Sequence, residues 1–258
     1  MIDLQVAIAK VPRFGIAESG DTLEMIERPG GGFSVVLVDG QGSGRGAKTL
    51  SAMIAARALS QLMDGSRDGV VARAAHDYLY TYRMGQVSAS LNILSVDLRS
   101  GSVLISRNNP APFYVLDERG IVVHDEPSQP IGLYAATKPQ ITELPLRAPM
   151  AVVLFSDGLL KAGEAYGEDL ALPNLLAGWM ETRDLTELAD QLLTRAIELD
   201  RGEPSDDMSV VVLAAHEARG GDAVRRMWLS VPLSPELPAP GRDDRAEQDG
   251  QGDGRDTV

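Results

Sequence analysis

Phe33-Ser34-Val35-Val36-Leu37-Val38-Asp39-Gly40-Gln41-Gly42-Ser43-Gly44 is an apolar, β-branched run that ends in Asp-Gly and passes into a glycine-rich turn. The run predicts a buried strand. A carboxylate at the end of such a strand, followed by glycines that let backbone approach closely, is a way to aim an acid at a metal ion. By itself the motif is ambiguous, because Asp-Gly is also a common turn. Three further acidic sites decide its meaning.

Asp21 follows Ser19-Gly20 and opens the strand before Asp39. Asp157 follows Val152-Val153-Leu154-Phe155-Ser156 and precedes Gly158. Asp206-Asp207 opens Met208-Ser209-Val210-Val211-Val212-Leu213. Strand ends converge at the rim of a sheet, so carboxylates placed there can meet. Crowded carboxylates repel unless cations neutralise them. An all-oxygen set without Cys or clustered His suits hard ions such as Mg²⁺ or Mn²⁺.

Around these sites the pattern alternates between strands and helices. Leu4 to Lys10 predicts a strand. Asp21 to Ile26 and Phe33 to Val38 flank Pro29-Gly30-Gly31-Gly32, a hairpin signal. Ala47 to Met63 predicts a helix, with Ala47, Leu50, Ile54, Ala58 and Leu62 on helical spacing. Val70 to Tyr82 predicts a second. Three more hairpins are expected: Ser88–Asp97 with Ser102–Arg107, Phe113–Leu116 with Ile121–His124, and Ile141–Leu146 with Ala151–Phe155 around Arg147-Ala148-Pro149. Leu170–Met180 and Leu185–Leu199 read as helices, Met208–Ala214 as a very apolar strand, and Val224–Val231 as one further strand. Successive hairpins favour antiparallel sheets. Two early and two late helices fit an α+β sandwich with helices on its outer faces.

Composition bounds the function. The 258 residues carry a net charge of −13 and no Cys. Disulfides and thiolate metal sites are excluded. The charge argues against a nucleic-acid binder that neutralises phosphates. Residues 234–258 hold seven acids against three arginines, with three prolines and four glycines. That composition predicts a disordered acidic tail. The N-terminus lacks the basic and apolar regions of a signal peptide. No apolar run approaches the ~20 residues that span a bilayer. The expectation is a cytoplasmic protein with no membrane partner.

The ordered motifs resemble the metal-dependent PPM (PP2C-type) serine/threonine phosphatases, in their bacterial SpoIIE-like branch. Ser19-Gly20-Asp21 looks like that branch's early Gly-Asp. Val38-Asp39-Gly40-Gln41-Gly42-Ser43-Gly44 matches its Asp-Gly-x-Gly-x-Gly, and Leu154-Phe155-Ser156-Asp157-Gly158-Leu159 its Ser-Asp-Gly. Ser205-Asp206-Asp207-Met208-Ser209-Val210 is similar to its closing strand. The likeness covers residues 1–216, and in style is nearest to stand-alone RsbX-type members. No one motif is specific; the ordered set is.

The resemblance implies a PP2C-like α-β-β-α sandwich and two Mn²⁺ or Mg²⁺ ions. It implies that Asp39 bridges both ions, that Asp21 and the Gly40 carbonyl hold one, and that Asp157 and Asp206 hold the other. Asp207 ranks below Asp206, because many relatives have Asn there. The implied activity is hydrolysis of phosphoserine or phosphothreonine by metal-activated water. The implied substrate is a STAS-domain regulator in a partner-switching, sigma-factor or stress pathway.

Three departures stand out. His76, His124 and His216 fall in no motif and read as surface or packing residues. Asn108-Asn109-Pro110-Ala111-Pro112 replaces the branch's Gly-His-x-Pro and reads as a structural loop. Arg13 lies in the early region where eukaryotic members place a phosphate-gripping Arg.

Two other readings stay open at this point. Gly42-Ser43-Gly44-Arg45-Gly46-Ala47-Lys48-Thr49 nearly fits a P-loop, with Ala47 in place of the second glycine. It also fits Gly-x-Gly-x-x-Ala of dinucleotide sites, with Asp64 further on. Neither explains Asp21 or Asp206-Asp207. A non-catalytic relative that binds phosphoproteins is the other alternative.

Overall fold

The structure is a computed structural model that describes residues 2–218, 224–227 and 229–231. The chain divides into a compact unit, Met1–Arg219, and a second stretch, Gly220–Val258. The fold below is that of the first unit.

Ten strands and five α-helices follow one another as β1 (Ile2–Val11), β2 (Asp21–Glu27), β3 (Phe33–Gly40), α1 (Gly44–Met63), α2 (Asp68–Arg83), β4 (Ala89–Asp97), β5 (Ser102–Asn108), β6 (Phe113–Asp117), β7 (Gly120–His124), β8 (Gln140–Pro145), β9 (Met150–Phe155), α3 (Asp157–Lys161), α4 (Leu172–Thr182), α5 (Leu185–Leu199) and β10 (Met208–Glu217). They build two five-stranded sheets, in the orders β1-β10-β9-β6-β7 and β2-β3-β4-β5-β8. Every pairing is antiparallel.

Alternation along the central strands explains the layers. In β9, Ala151, Val153 and Phe155 face α4 and α5, while Met150, Val152 and Leu154 face the other sheet. In β10, Val210, Val212 and Ala214 take the helix side, and Val211, Leu213 and Ala215 the sheet side. In β3, Val36 and Val38 pack on α1 and α2, and Val35 points into the sandwich. Both faces of these strands are buried, so the sequence reads as continuous apolar runs. The result is four layers: helices, sheet, sheet, helices. Each fully buried Val or Leu stabilises this arrangement by about 1.5–3 kcal/mol relative to exposure.

The helices obey the same logic. In α1 the buried residues Ala47, Leu50, Ile54, Ala58 and Leu62 form one stripe on the side that meets β2 and β3. Asp184 caps α5 by accepting a hydrogen bond from the Glu187 backbone N–H at 2.9 Å.

Two expectations need correction. The hairpin expected around Arg147-Ala148-Pro149 does not form: β8 pairs with β5 in one sheet, and β9 pairs with β10 and β6 in the other. The short connection carries the chain across the sandwich instead. Burial marks the difference, since β9 is buried throughout whereas β8 is a half-exposed edge strand. The further strand expected over Val224–Val231 is absent among its described residues. The predicted tail, 234–258, lies outside the described residues.

The sequence pattern also gives no sign of α3. Five residues are too few to show a helical period, and Gly158 lowers the intrinsic preference.

Candidate metal centre

Asp39 and Gly40 are not a turn. They are the last two residues of β3, opposite Ser90 and Ala89 of β4. Asp21 begins β2 directly opposite Asp39. These two carboxylates therefore share one end of one sheet. Asp157 is the first residue of α3, just past β9, and Asp206 lies two residues before β10. The two strands are stitched here: the Ser156 N–H donates to the Ser209 carbonyl at 3.0 Å, and the Ser209 N–H donates to Ser156 Oγ at 2.9 Å. This second pair sits at the end of the other sheet.

Glycines let backbone pack closely within each end. A Cβ on Gly40 would lie 2.4 Å from the Ala47 carbonyl oxygen, in the first turn of α1. One on Gly158 would lie 2.2 Å from the Asp207 carbonyl oxygen, and one on Gly20 would lie 2.8 Å from Ala47 Cβ. Both backbone contacts are far inside any real Cβ approach. Gly42 and Gly44 instead serve the turn, at φ of +97° and +67°.

Electrostatics tie the four acids into one group. Asp39 is pushed up to about 9, first by burial and then by the charges of Asp21, Asp157 and Asp206. Asp21 has no exposed surface. It is pushed up to about 6, mainly by burial, with the nearby Ser209 and Ser156 hydroxyls pulling the other way. Neither Asp21 carboxylate oxygen completes a hydrogen bond. Lys10 and Lys48 approach Asp21, but both ammonium groups donate to its backbone carbonyl, at 3.0 and 2.9 Å. Among the described residues, no three acidic or His side chains are already gathered into a closed cation-binding group. The acids stand as two pairs that meet where the Asp39 and Asp157 side chains approach one another.

Asp207 has a different task. It is buried, and its carboxylate accepts from the Arg13 N–H at 3.1 Å and the Gly20 N–H at 2.9 Å. It pins the segment that delivers Asp21. Arg13 thus contributes its backbone here, while its side chain is exposed.

Lys161 is the residue that the motifs did not single out. Its Nζ lies 2.7 Å from Asp157 Oδ2 and 3.0 Å from Asp206 Oδ2. Burial lowers its pKa, but the two carboxylates outweigh that and hold it above the ordinary value. An (i, i+4) spacing from Asp157 is the signal that could have pointed to it, had a helix been expected after β9.

The histidines pack as read. His76 is buried and accepts a hydrogen bond from the Gly132 N–H at 3.1 Å. His124 stacks on Phe113 with ring centroids 4.4 Å apart, and His216 tilts against Trp179. The Asn108–Pro112 loop is structural. Asn109 accepts from the Ala111 N–H at 2.9 Å and donates to the Phe155 carbonyl at 3.2 Å. The buried Arg107 guanidinium donates to the carbonyls of Asn109 and Ala111. Lys48, the would-be P-loop lysine, is bound to Asp21 O and to Thr22 Oγ1. The antiparallel sheets also lack the parallel βαβ setting of a nucleotide loop.

Comparison with known proteins follows the same outline. The chain is 21% identical to the Stage II sporulation protein E of Priestia megaterium over 210 residues. That stretch is 81% of this chain but 36% of that protein, so the chain spans only about a third of the relative's length. The PP2C phosphatase domain of Bacillus subtilis SpoIIE, solved with a fragment of its regulatory domain, superposes with a TM-score of 0.71 at 20% identity. The match covers 85% of this chain and 65% of that one. RsbX, solved in complex with magnesium, superposes with a TM-score of 0.65 at 14% identity, over 83% and 100% of the two chains. The fold is therefore that of PP2C phosphatase domains. The family model for Stage II sporulation protein E (SpoIIE) matches residues 29–216, most of the compact unit, and the chain belongs to the SpoIIE family.

Proposed function

We propose that the chain is a metal-dependent protein serine/threonine phosphatase, with residues 1–216 as its phosphatase domain. The observation that carries this reading is Asp21. Its carboxylate is wholly buried, has no hydrogen-bond partner, and faces a second acid, Asp39, across a strand pair. Burying an ionised carboxylate without a partner is costly, and a second acid beside it adds repulsion. A divalent cation removes both costs. An all-oxygen donor set makes Mg²⁺ or Mn²⁺ the fitting ion.

In this reading Asp21, Asp39 and the Gly40 carbonyl would hold one ion, and Asp39, Asp157 and Asp206 would hold the other. Two such ions, when bound, supply Lewis acidity toward phosphoryl oxygens and lower the pKa of water. The chain's own residues do the positioning. Asp39 senses both pairs and so ties the two ends of the sandwich together. Asp207 fixes the approach to Asp21 through the Arg13 and Gly20 N–H groups. The Ser156–Ser209 bonds hold Asp157 beside Asp206. The chain has no Cys, and its three histidines are occupied in packing, so neither a phosphocysteine nor a phosphohistidine intermediate has an evident carrier.

The substrate rests on the resemblance. It suggests a phosphorylated STAS-domain protein of a partner-switching pathway, acted on in the cytoplasm. Among the described residues no helix is long and apolar enough to cross a membrane. The test is phosphate release from p-nitrophenyl phosphate and from phosphorylated STAS-domain proteins, with and without Mn²⁺ or Mg²⁺. Turnover that needs the ion and vanishes in Asp39→Asn is the expected result. Binding of a phosphoprotein without turnover would favour the non-catalytic alternative and overturn this one.

A further inference from the structure

The two acid pairs are not equivalent, and the difference lies in Lys161. The Asp21/Asp39 pair is inner: Asp21 is fully buried, and the Lys10 and Lys48 ammonium groups bond its backbone carbonyl rather than its carboxylate. The Asp157/Asp206 pair is outer, with side chains 37% and 29% exposed, and it already holds an ammonium at 2.7 and 3.0 Å. The Lys161 side chain is itself 43% exposed. Its flexible stem can swing to water, where an ammonium is well hydrated.

We propose that Lys161 is a tethered cation occupying the outer position, so that divalent ions fill the inner pair first and reach the outer pair only by displacing its ammonium. The inference rests on the two-ion reading above and adds an order and a competitor to it. A lysine reaches both outer carboxylates because α3 places it one turn after Asp157 while the Ser156–Ser209 bonds bring Asp206 alongside. The consequence is specific to this pair. Removing the ammonium frees two carboxylates for the outer ion, while Asp21 and Asp39 lose no direct bond to it. It also strips the metal-free protein of the one cation seen on the outer pair.

The experiment is Mn²⁺ titration of the full chain by calorimetry, with electron paramagnetic resonance to count bound ions. Wild type is compared with Lys161→Met, which keeps the stem, with Lys161→Gln as a second neutral variant, and with Lys161→Arg, which keeps the charge. Wild type is expected to show one tighter and one weaker ion. Lys161→Met and Lys161→Gln tighten the weaker ion by about tenfold, equivalent to about 1.4 kcal/mol, and leave the tighter one within about twofold. Lys161→Arg leaves both near wild type. In thermal melts without metal the neutral variants melt below wild type, and saturating Mn²⁺ abolishes the deficit.

An unchanged or weakened second ion in both neutral variants overturns the proposal and leaves the two-ion reading standing. Equal tightening of both ions also overturns it, since that is a general charge effect. Failure of wild type to bind any Mn²⁺ overturns both readings together.

Discussion

The two halves of the acidic end solve one electrostatic problem in different ways. In the β2–β3 half, Asp21 and Asp39 face each other across paired strands, and Asp21 is left without surface or hydrogen bonds. In the β9–α3–β10 half, Asp157 and Asp206 sit at the ends of a strand pair with partial access to water and a lysine between them. In the first half the Ser209 and Ser156 hydroxyls and the Lys10 charge offset the burial of Asp21 only in part, whereas the second carries an ammonium bonded to both acids. Unrelieved carboxylates raise their pKa, and the largest rise falls on Asp39, where the charges of both halves meet. The lesson is that the inner half is built to be completed by something else, whereas the outer half is stable as it stands.

The largest expected effect comes from breaking the inner half. Asp39→Asn keeps the shape and removes the charge. Phosphatase turnover with saturating Mn²⁺ is expected to fall by at least about 10³-fold, in line with the role toward both ions proposed for Asp39. The metal-free protein is expected to melt higher than wild type, because the most crowded carboxylate is gone. Activity and metal-free stability thus move in opposite directions. A variant that loses both has simply failed to fold well, and the contrast between the halves would lose its basis.

The pH dependence sharpens the same contrast. Asp21 and Asp39 titrate in the folded protein at about 6 and about 9, against an ordinary value of 3.8. The folded state therefore binds protons more tightly than the unfolded chain. Stability from these two acids is full below about pH 4 and is lost as pH rises, through about 6 for Asp21 and about 9 for Asp39. Urea denaturation in a chelator is expected to show falling stability from pH 5 to pH 9. Saturating Mg²⁺ is expected to flatten that fall, because the ion makes the charged form the favoured one. A chelated protein whose stability is level across this range would show that the inner acids are relieved by some other group.

Much of this was legible in the sequence, for reasons visible in particular residues. Val35, Val36 and Val38 bury both faces of β3, so a plain apolar run identified the strand and its end. The strand boundaries at Asp39 and Asp206 were readable because Asp39 closes an apolar run and Asp206-Asp207 directly precedes one. Helix α5 has the bounds expected of it, and the structure shows Asp184 capping its start through the Glu187 N–H. What failed was local information about non-local partners. Ile141–Leu146 and Ala151–Phe155 look like hairpin arms, yet the choice between pairing and crossing depends on which sheet has a free edge. Lys161 was missed because its role depends on Asp206, 45 residues away, and on a one-turn helix with no period of its own. Asp207 looked like a weaker copy of Asp206, whereas its bonds to Arg13 and Gly20 cross nearly the whole chain.

The glycines offer a smaller and more local break, one for each half. Gly40→Ala pushes a methyl into the Ala47 carbonyl in the inner half, and Gly158→Ala pushes one into the Asp207 carbonyl in the outer half. Both contacts are with backbone, so relief requires α1 or α3 to move. Each substitution is expected to cost about 1–3 kcal/mol of stability, read by urea denaturation. The metal readouts should separate them: Gly40→Ala weakens the tighter Mn²⁺ ion, and Gly158→Ala the weaker one. The reverse assignment would show that the two halves are mislabelled.

The smallest expected effect tests whether Asp207 belongs to either half. Its carboxylate uses one oxygen for the Arg13 N–H and the other for the Gly20 N–H. Asp207→Asn keeps one acceptor oxygen and turns the second into an amide that cannot accept. One N–H then loses its partner, and a charge-assisted bond becomes a neutral one. The expected cost is about 1–2 kcal/mol. That loss is offset in part, because the Asp207 charge also raises Asp21, so its removal relieves the inner half. Ion binding should barely change, since Asp207 positions the segment before β2 and its two oxygens are already engaged. A Mn²⁺ titration that loses an ion in Asp207→Asn would instead make Asp207 a ligand, and the inner pair would become a set of three.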